Sequence, residues 1–397
     1  MGLNVLLLGT LISKEHSDLF ARSGVRPAPA DIVQEYLLDG LRVNEKVDTV
    51  DAVCSPRIMA YPKCKIWKVS DNAFRFREAD VKSLGFINAP VLGFAQREKR
   101  IVAEAKKWAR RQSGGDVMVL IYSMHSPFLR AACAVKKILP SAKVFLIVPD
   151  LPQYMQSGGV IKRMLKKIDR KRIDSLLPVV DKYVLYTKQM AEYFGLKDGS
   201  WMVCEGLMDV SKISLGGDKP SDGKKICMYA GSFASQYALD TLVAAFERAD
   251  VDAELHLYGN PSEGEALMSK FPNCKKTRYM GILSQSEVFE RMKEATLLVN
   301  PRPSNLELAK YSCPSKTFEY MASGTPVLMT RLPGLPDEYH SYLYFFEEET
   351  EDGFKRALEW VLAKDSTELR AKGEEACEFL KREKSSVCQV RRIVDFY

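Results

Sequence analysis

No apolar run in the 397 residues reaches the roughly 18–20 that a membrane-spanning helix requires. Histidine occurs only at 16, 125, 256 and 340, none within helical reach of another, which argues against a zinc site. The nine cysteines (54, 64, 133, 204, 227, 274, 313, 377, 388) are odd in number, scattered and without a C-x-x-C pair. They read as buried thiols of a reducing cytosol. Neither G-x-x-x-x-G-K-[ST] nor G-x-G-x-x-G occurs, which speaks against P-loop nucleotide hydrolases and standard dinucleotide sites. No G-x-S-x-G elbow offers a hydrolase nucleophile. The opening residues 1–9 lack a basic segment and a small-residue cleavage site, so they read as a first buried strand and not a signal peptide. Leu6 stands where a myristoylation signal wants Ser or Thr.

What is present is alternation. Apolar residues make up 46% of the chain, in short runs separated by amphipathic stretches. Strands are predicted at Val5–Leu8, Val47–Val53, Lys65–Val69, Val117–Tyr122, Lys143–Val148, Tyr183–Tyr186 and Met202–Cys204. A second set falls at Ile226–Ala230, Glu254–Tyr258, Arg278–Gly281, Thr296–Val299, Pro326–Met329 and Leu343–Phe346. Helical segments between most of them imply an α/β chain with parallel sheets covered on both faces. The polar, Gly- and Pro-containing stretch 216–225 reads as the one clear linker. The expected layout is a Rossmann-like domain over 1–205, a hinge over 206–225, a second Rossmann-like domain over 226–386, and a helix over 387–397 that crosses back. Ligands of such sheets bind beyond the carboxyl ends of the strands, so two domains facing each other would enclose a cleft.

The net charge of +7 is concentrated. Residues 97–111 and 162–174 each carry a net +5 around an apolar stripe: Ile101, Ala105 and Trp108 in one, Ile161, Met164, Leu165 and Ile168 in the other. Such helices either dock on an anionic membrane surface or pack on a core with a solvated basic face. No nucleic-acid-binding pattern accompanies the charge.

The richest stretch runs from Asn300 to Val327. A strand ends in a polar loop, and a short helix is predicted from Ser315 with Lys316 in its first turn and Glu319 about a turn later, stopping at Gly324. Backbone N–H groups, the helix dipole and the lysine converge on one point, which suits a diphosphate. Glu319 is placed to accept from ribose hydroxyls; an ordinary capped surface helix is the alternative. Earlier, Tyr229-Ala230-Gly231-Ser232-Phe233 runs a strand into a tight turn where backbone can approach a ligand. His125 and Asp150 each follow a predicted strand of the first half. Both are either site residues or plain loop and capping residues.

With these pieces in place the chain resembles GT-B glycosyltransferases of retaining family 4. Tyr229 to Ser232, Tyr258-Gly259, Gly281 and the block from Pro314 to Val327 carry the likeness, and Val148-Pro149-Asp150-Leu151-Pro152 is similar to bacterial capsular and exopolysaccharide enzymes. The resemblance implies sugar transfer from a UDP- or GDP-linked donor to a glycan or lipid-linked acceptor in surface polysaccharide synthesis, with retention, no metal and no further cofactor. It implies that Glu319 holds the ribose, that Ser315, Lys316, Thr317 and the following amides hold the diphosphate, and that Ile282 contacts the base through its backbone. Gly231 and Ser232 would line the donor turn. His125 and Asp150 would orient the reacting groups. Departures stand beside this. Tyr311 occupies the place of a first family glutamate, Glu307 is out of register, and Ser232, Gln236 and Tyr237 replace a basic phosphate grip. Lys316 with Arg302 is expected to supply that charge. The glycine-rich loop after the first strand shrinks to Gly9-Thr10. Asp250-Val251-Asp252 spells the D-x-D of the other major transferase architecture, but before a strand rather than after one.

The expected location is the cytoplasm, peripheral on the inner membrane face. A non-catalytic sugar-nucleotide-binding partner of an active transferase is the second reading. A GT-B epimerase is a third, disfavoured by the scattered histidines.

Overall fold

The computed structural model describes all residues except 1, 25–28, 77, 152–159, 210–223 and 314, together with the side chains of 29, 91, 160–163 and 165. Most of the predicted hinge, including Gly216 to Gly223, therefore lies outside the described residues, as do Pro152 and Pro314. The chain divides into two units: Met1–Met208 with Ser386–Tyr397, and Asp209–Ser385.

Unit 1 runs β1 (Leu3–Gly9), α1 (Lys14–Arg22), α2 (Pro29–Arg42), β2 (Val47–Cys54), β3 (Lys68–Val69), β4 (Asn72–Phe76), β5 (Ala79–Ser83), β6 (Phe86–Ile87), α3 (Pro90–Arg111), β7 (Asp116–Tyr122), α4 (Ser126–Lys136), β8 (Lys143–Val148), α5 (Val160–Leu176), β9 (Lys182–Leu185), α6 (Gln189–Phe194) and β10 (Trp201–Val203). Its main sheet has the order β10-β9-β8-β7-β1-β2-β5-β4. The central strands are apolar on both faces (Val5 to Leu8, Met118 to Ile121 and Val144 to Leu146 are fully buried), as a parallel sheet between two helical layers demands. One departure from the expected all-parallel sheet is the antiparallel β4–β5 hairpin at its edge. There Phe74 and Phe76 alternate with Arg75, a pattern that serves a half-exposed edge strand.

Unit 2 runs β11 (Lys225–Ala230), α7 (Leu239–Arg248), β12 (Ala253–Tyr258), α8 (Pro261–Met268), β13 (Thr277–Gly281), α9 (Gln285–Glu294), β14 (Leu297–Asn300), α10 (Glu307–Lys310), α11 (Ser315–Ala322), β15 (Val327–Thr330), β16 (Tyr344–Phe346), α12 (Glu351–Leu362) and α13 (Ser366–Glu383). Its sheet has the order β13-β12-β11-β14-β15-β16, with every pairing parallel. Numbered within the unit this is 3-2-1-4-5-6, the doubly wound order whose direction reverses between its first and fourth strands.

The last helix, α14 (Ser386–Asp395), belongs to unit 1. Val390, Ile393 and Val394 enter the core formed by Leu37, Leu38 and Leu41 of α2. The approach is close: a Cβ on Gly40 would lie 2.6 Å from Val390 Cγ2 and 2.7 Å from the Ser386 carbonyl. Phe396 and Tyr397 then pack on Phe145 of β8. Each fully buried side chain of this kind contributes about 1.5–3 kcal/mol.

The two basic helices differ. In α3, Ile101, Ala105 and Trp108 are buried, and the Trp108 indole donates to Asp51 at 2.7 Å. Of the two readings of this stripe, core packing is the one that holds for α3. In α5, Met164 and Ile168 are 64% and 52% exposed. Among the described residues no helix is long and apolar enough to cross a membrane. None of the nine cysteines is in a disulfide, and Cys54, Cys64, Cys204, Cys227 and Cys377 are buried.

Candidate functional site

In unit 2 the strand order reverses between β11 and β14, and the candidate side chains gather at the carboxyl ends of those strands. β11 ends at Ala230, whose N–H donates to the Tyr320 hydroxyl at 2.9 Å while that hydroxyl reaches the Ala230 carbonyl at 3.3 Å. Tyr320 is fully buried in α11, so the helix carrying Lys316 and Glu319 is clipped to the end of the strand carrying Gly231. Gly231 follows with φ 153°, and its N–H donates to the Tyr258 carbonyl at 2.8 Å. A Cβ there would fall 1.4 Å from Lys316 Nζ. Only glycine leaves room for the lysine.

Lys316 extends over the Tyr229 ring, 4.6 Å from its centre, and donates to the Tyr229 hydroxyl at 3.2 Å. Burial lowers the Lys316 pKa to about 8, with nearby Glu319 opposing and Arg302 adding to the fall. Glu319 is shifted the other way: burial raises it and Lys316 opposes. Both groups are thus held where ionisation is costly, which is where an incoming charge alters them most. Arg302, just after β14, donates to the Ser312 hydroxyl at 3.1 Å and lies 5.8 Å from the Tyr237 ring. Its buried Nε has no partner.

Tyr229, Tyr237 and Tyr320 therefore frame the corner that Lys316 and Arg302 charge. The sequence reading did not assign Tyr229 or Tyr320, and their signal was weak because a tyrosine within an apolar strand or helix ordinarily reads as core. Ser315 and Ser232 are exposed, the Ser232 hydroxyl accepting from Ala234 N–H at 3.3 Å. Thr317 points the other way, buried against Met329 Sδ at 3.8 Å, so only its backbone is available to a ligand. Ile282 follows the end of β13 and is 60% exposed. Tyr311 closes the short α10, and Glu307 begins it. Asp250 and Asp252 precede β12, at the amino edge of the sheet away from Gly231. Among the described residues no three acidic, His or Cys side chains converge as a metal site would need.

In unit 1, His125 and Asp150 follow β7 and β8 at the carboxyl edge. His125 precedes the first turn of α4 without capping it by its side chain, and its ring meets Phe128 edge-on at 5.7 Å. Burial, then Arg57 and Arg97, lower its pKa to about 3. The imidazole is neutral at physiological pH and works as a hydrogen-bonding group. Asp150 is solvent-reached, yet its surroundings raise its pKa against the pull of Arg57. At the end of β1 the shortened Gly9-Thr10 turn is filled by Gln34, which is fully buried and accepts from Thr10 N–H at 2.7 Å.

Residues 224–364 match the family model described as "Glycosyl transferases group 1". No curated protein matches the chain. Solved structures match over its whole length. The lipopolysaccharide outer core galactosyltransferase WaaB is 13% identical, with 99% of this chain and 98% of that one covered at a TM-score of 0.64. HepE of Anabaena, in complex with UDP, is 12% identical at 0.60, covering 99% and 98%. A UDP-forming α,α-trehalose-phosphate synthase of Burkholderia vietnamiensis is 10% identical at 0.65, covering 100% and 99%. With two Rossmann-like α/β units and this likeness along its full length, the chain has the GT-B fold.

Proposed function

We propose that this protein is a retaining glycosyltransferase that moves a sugar from a UDP- or GDP-linked donor to a hydroxyl of a glycan or lipid-linked acceptor. The observation that carries the reading is Lys316 seated on Gly231 at the strand-order reversal, with Glu319 one turn further along α11. The match of residues 224–364 to a glycosyltransferase family model supports it. So do the UDP bound by HepE and the UDP-forming reaction in the name of the synthase.

In this reading the diphosphate lies against the first turn of α11, where Lys316, the free amides and Arg302 compensate its charge. Glu319 accepts from the ribose hydroxyls. The bond from the anomeric carbon to the phosphate oxygen breaks as the acceptor oxygen bonds to that carbon on the same face. The acceptor proton passes to the departing phosphate oxygen. Charge compensation is assigned to this chain's own cations, without a metal ion or other cofactor. Neutral His125, with Asp150, orients the acceptor hydroxyl from unit 1, a role that acts through proximity.

α5 extends the reading to the membrane. Met164 and Ile168 stand exposed among Lys166, Lys167 and Lys171, the composition of a helix that inserts shallowly at an anionic surface. In this reading the enzyme works in the cytoplasm at the inner leaflet, serving surface polysaccharide synthesis on a lipid-linked acceptor.

Incubating the purified chain with UDP- and GDP-sugars and following nucleoside diphosphate release tests the reaction. Release that rises with added acceptor is expected. Tight donor binding without any release would instead fit a non-catalytic sugar-nucleotide-binding partner.

A further inference from the structure

Five large apolar side chains of unit 1 stand in solvent around one buried asparagine. Met59, Tyr61, Trp67, Ile87 and Leu92 are 39–73% exposed. The Asn88 side-chain amide donates to the Met59 and Ile66 carbonyls at 2.9 and 3.0 Å, and its backbone N–H donates to the Trp67 carbonyl at 2.7 Å. Its own carbonyl accepts from Tyr61 N–H at 3.0 Å. The Tyr61 and Trp67 rings then meet edge-on, 5.3 Å between centres. Across the β3–β6 pair, Lys68 stands opposite Ile87 and Val69 opposite Phe86. Val69 and Phe86 are buried with Phe20, Cys64 and Ile66, and the Arg97 guanidinium lies 3.4 Å over the Phe86 ring. Lys68 and Ile87 therefore take the outward face. A Cβ on Gly93 would lie 2.3 Å from the Ile87 carbonyl oxygen, so the first turn of α3, which carries Leu92, is packed against β6.

Single exposed apolar residues are ordinary, but a fixed group drawn from three segments marks an interaction surface. Its charge names the partner. Residues 55–70 hold Arg57, Lys63, Lys65 and Lys68 and no acid. Lys63, Lys65 and Lys68 are exposed and form no ion pair among the described residues. Asp71, which follows, is bound by Arg100 at 2.6 Å. Tryptophan and tyrosine amid lysines suit the headgroup level of a bilayer, where the rings are half-solvated and the ammonium groups meet anionic phosphates. A neutral glycan would leave the lysines unused. α3 also joins this surface to α5. Glu98 binds Arg172 at 2.7 Å, and Met164, Ile168 and Arg172 recur every fourth residue along one stripe of α5.

We propose that Met59, Tyr61, Trp67, Ile87 and Leu92 form a preset wedge that enters the interface of an anionic bilayer, a second anchor beside α5. This rests on the membrane reading given above and extends it to a surface whose shape is fixed by the hydrogen bonds of Asn88.

The test uses the full chain with vesicles of phosphatidylcholine, with and without phosphatidylglycerol. Sedimentation with the anionic vesicles is expected, together with quenching of tryptophan emission by brominated acyl chains. Trp67→Phe should keep the binding and abolish most of the quenching, since Trp108 is buried in the core. Trp67→Ser should weaken partition about tenfold, through lost apolar burial. Leu92→Ser, on a separate segment, should weaken it several-fold and serves should Trp67→Ser fail to fold. Full binding by both serine variants, or quenching that survives Trp67→Phe, overturns the wedge and leaves the α5 reading standing. A blue shift of Trp67 emission that grows with protein concentration alone would assign the patch to a second copy and overturn the proposal. The same shift on adding maltoheptaose without vesicles would assign it to a glycan and also overturn it. A parent chain that stays in the supernatant with anionic vesicles at low salt would instead remove the membrane reading as a whole, and the wedge with it.

Discussion

Lys316 Nζ occupies the space that a side chain at Gly231 would need, so these two residues, 85 positions apart, can be read only together. The strand end and the helix start have been fitted around one ammonium group. Replacement of Gly231 by Ala pushes that group out of place. The obstacle is the far end of a flexible side chain, and the φ of 153° adds strain of about 1 kcal/mol. Gly231→Ala should therefore lower the melting temperature by only a few degrees while weakening UDP or GDP binding about tenfold or more. Calorimetric titration alongside a thermal melt separates the two effects.

The clip between Tyr320 and Ala230 is a stability device. Tyr320→Phe removes the hydroxyl and leaves the buried Ala230 N–H without its acceptor. An unsatisfied buried group of that kind costs about 1–3 kcal/mol. Urea denaturation should show a lower midpoint with an unchanged slope. An unaltered midpoint would mean that the helix is held to β11 by other contacts.

Protonation of Lys316 gives nucleotide binding a defined pH dependence. Its pKa in the unliganded chain is about 8, below the usual lysine value, and a bound diphosphate favours the charged form and raises it. Affinity should be level below pH 8 and fall as pH rises beyond it, by up to tenfold per unit. Proton uptake on binding near pH 8, measured by calorimetry in buffers of different ionisation enthalpy, should vanish in Lys316→Met.

The exposed pair on α5 predicts membrane behaviour. Changing Met164 and Ile168 to Ser should reduce sedimentation with anionic vesicles several-fold, because shallow insertion depends on buried apolar area. Equal sedimentation of both proteins would leave the apolar pair of α5 without a part in any binding.

Much of the fold was legible because parallel strands buried on both faces announce themselves as apolar runs. Lys143–Val148 and the strand ends at Ala230 and Tyr258 coincide in sequence and structure. The hairpin β4–β5 was missed because Phe74 and Val81 alternate with charged or polar neighbours at a sheet edge. Spacing alone placed Lys316 and Glu319 on one short helix, and the sequence also marked Gly231 as a tight turn. It could not show that the turn and the lysine touch, since that contact depends on strand order. Arg97 was hidden for a different reason. It begins a basic run that reads as a solvated face, and only the packing of α3 on Phe86 turns it inward. Further along the same helix, Trp108 is taken into the core with Ile101 and Ala105.

The central claim is that the corner of Lys316, Gly231 and Glu319 grips the nucleotide portion of an activated sugar. Isothermal titration of UDP and GDP into the unsubstituted chain, Lys316→Met and Glu319→Gln tests it most directly. Saturable one-to-one binding of at least one nucleotide is expected, weakened tenfold or more in both variants while their ligand-free melting temperatures stay close to that of the parent. Binding of equal strength in all three proteins, or none in the parent, would contradict it.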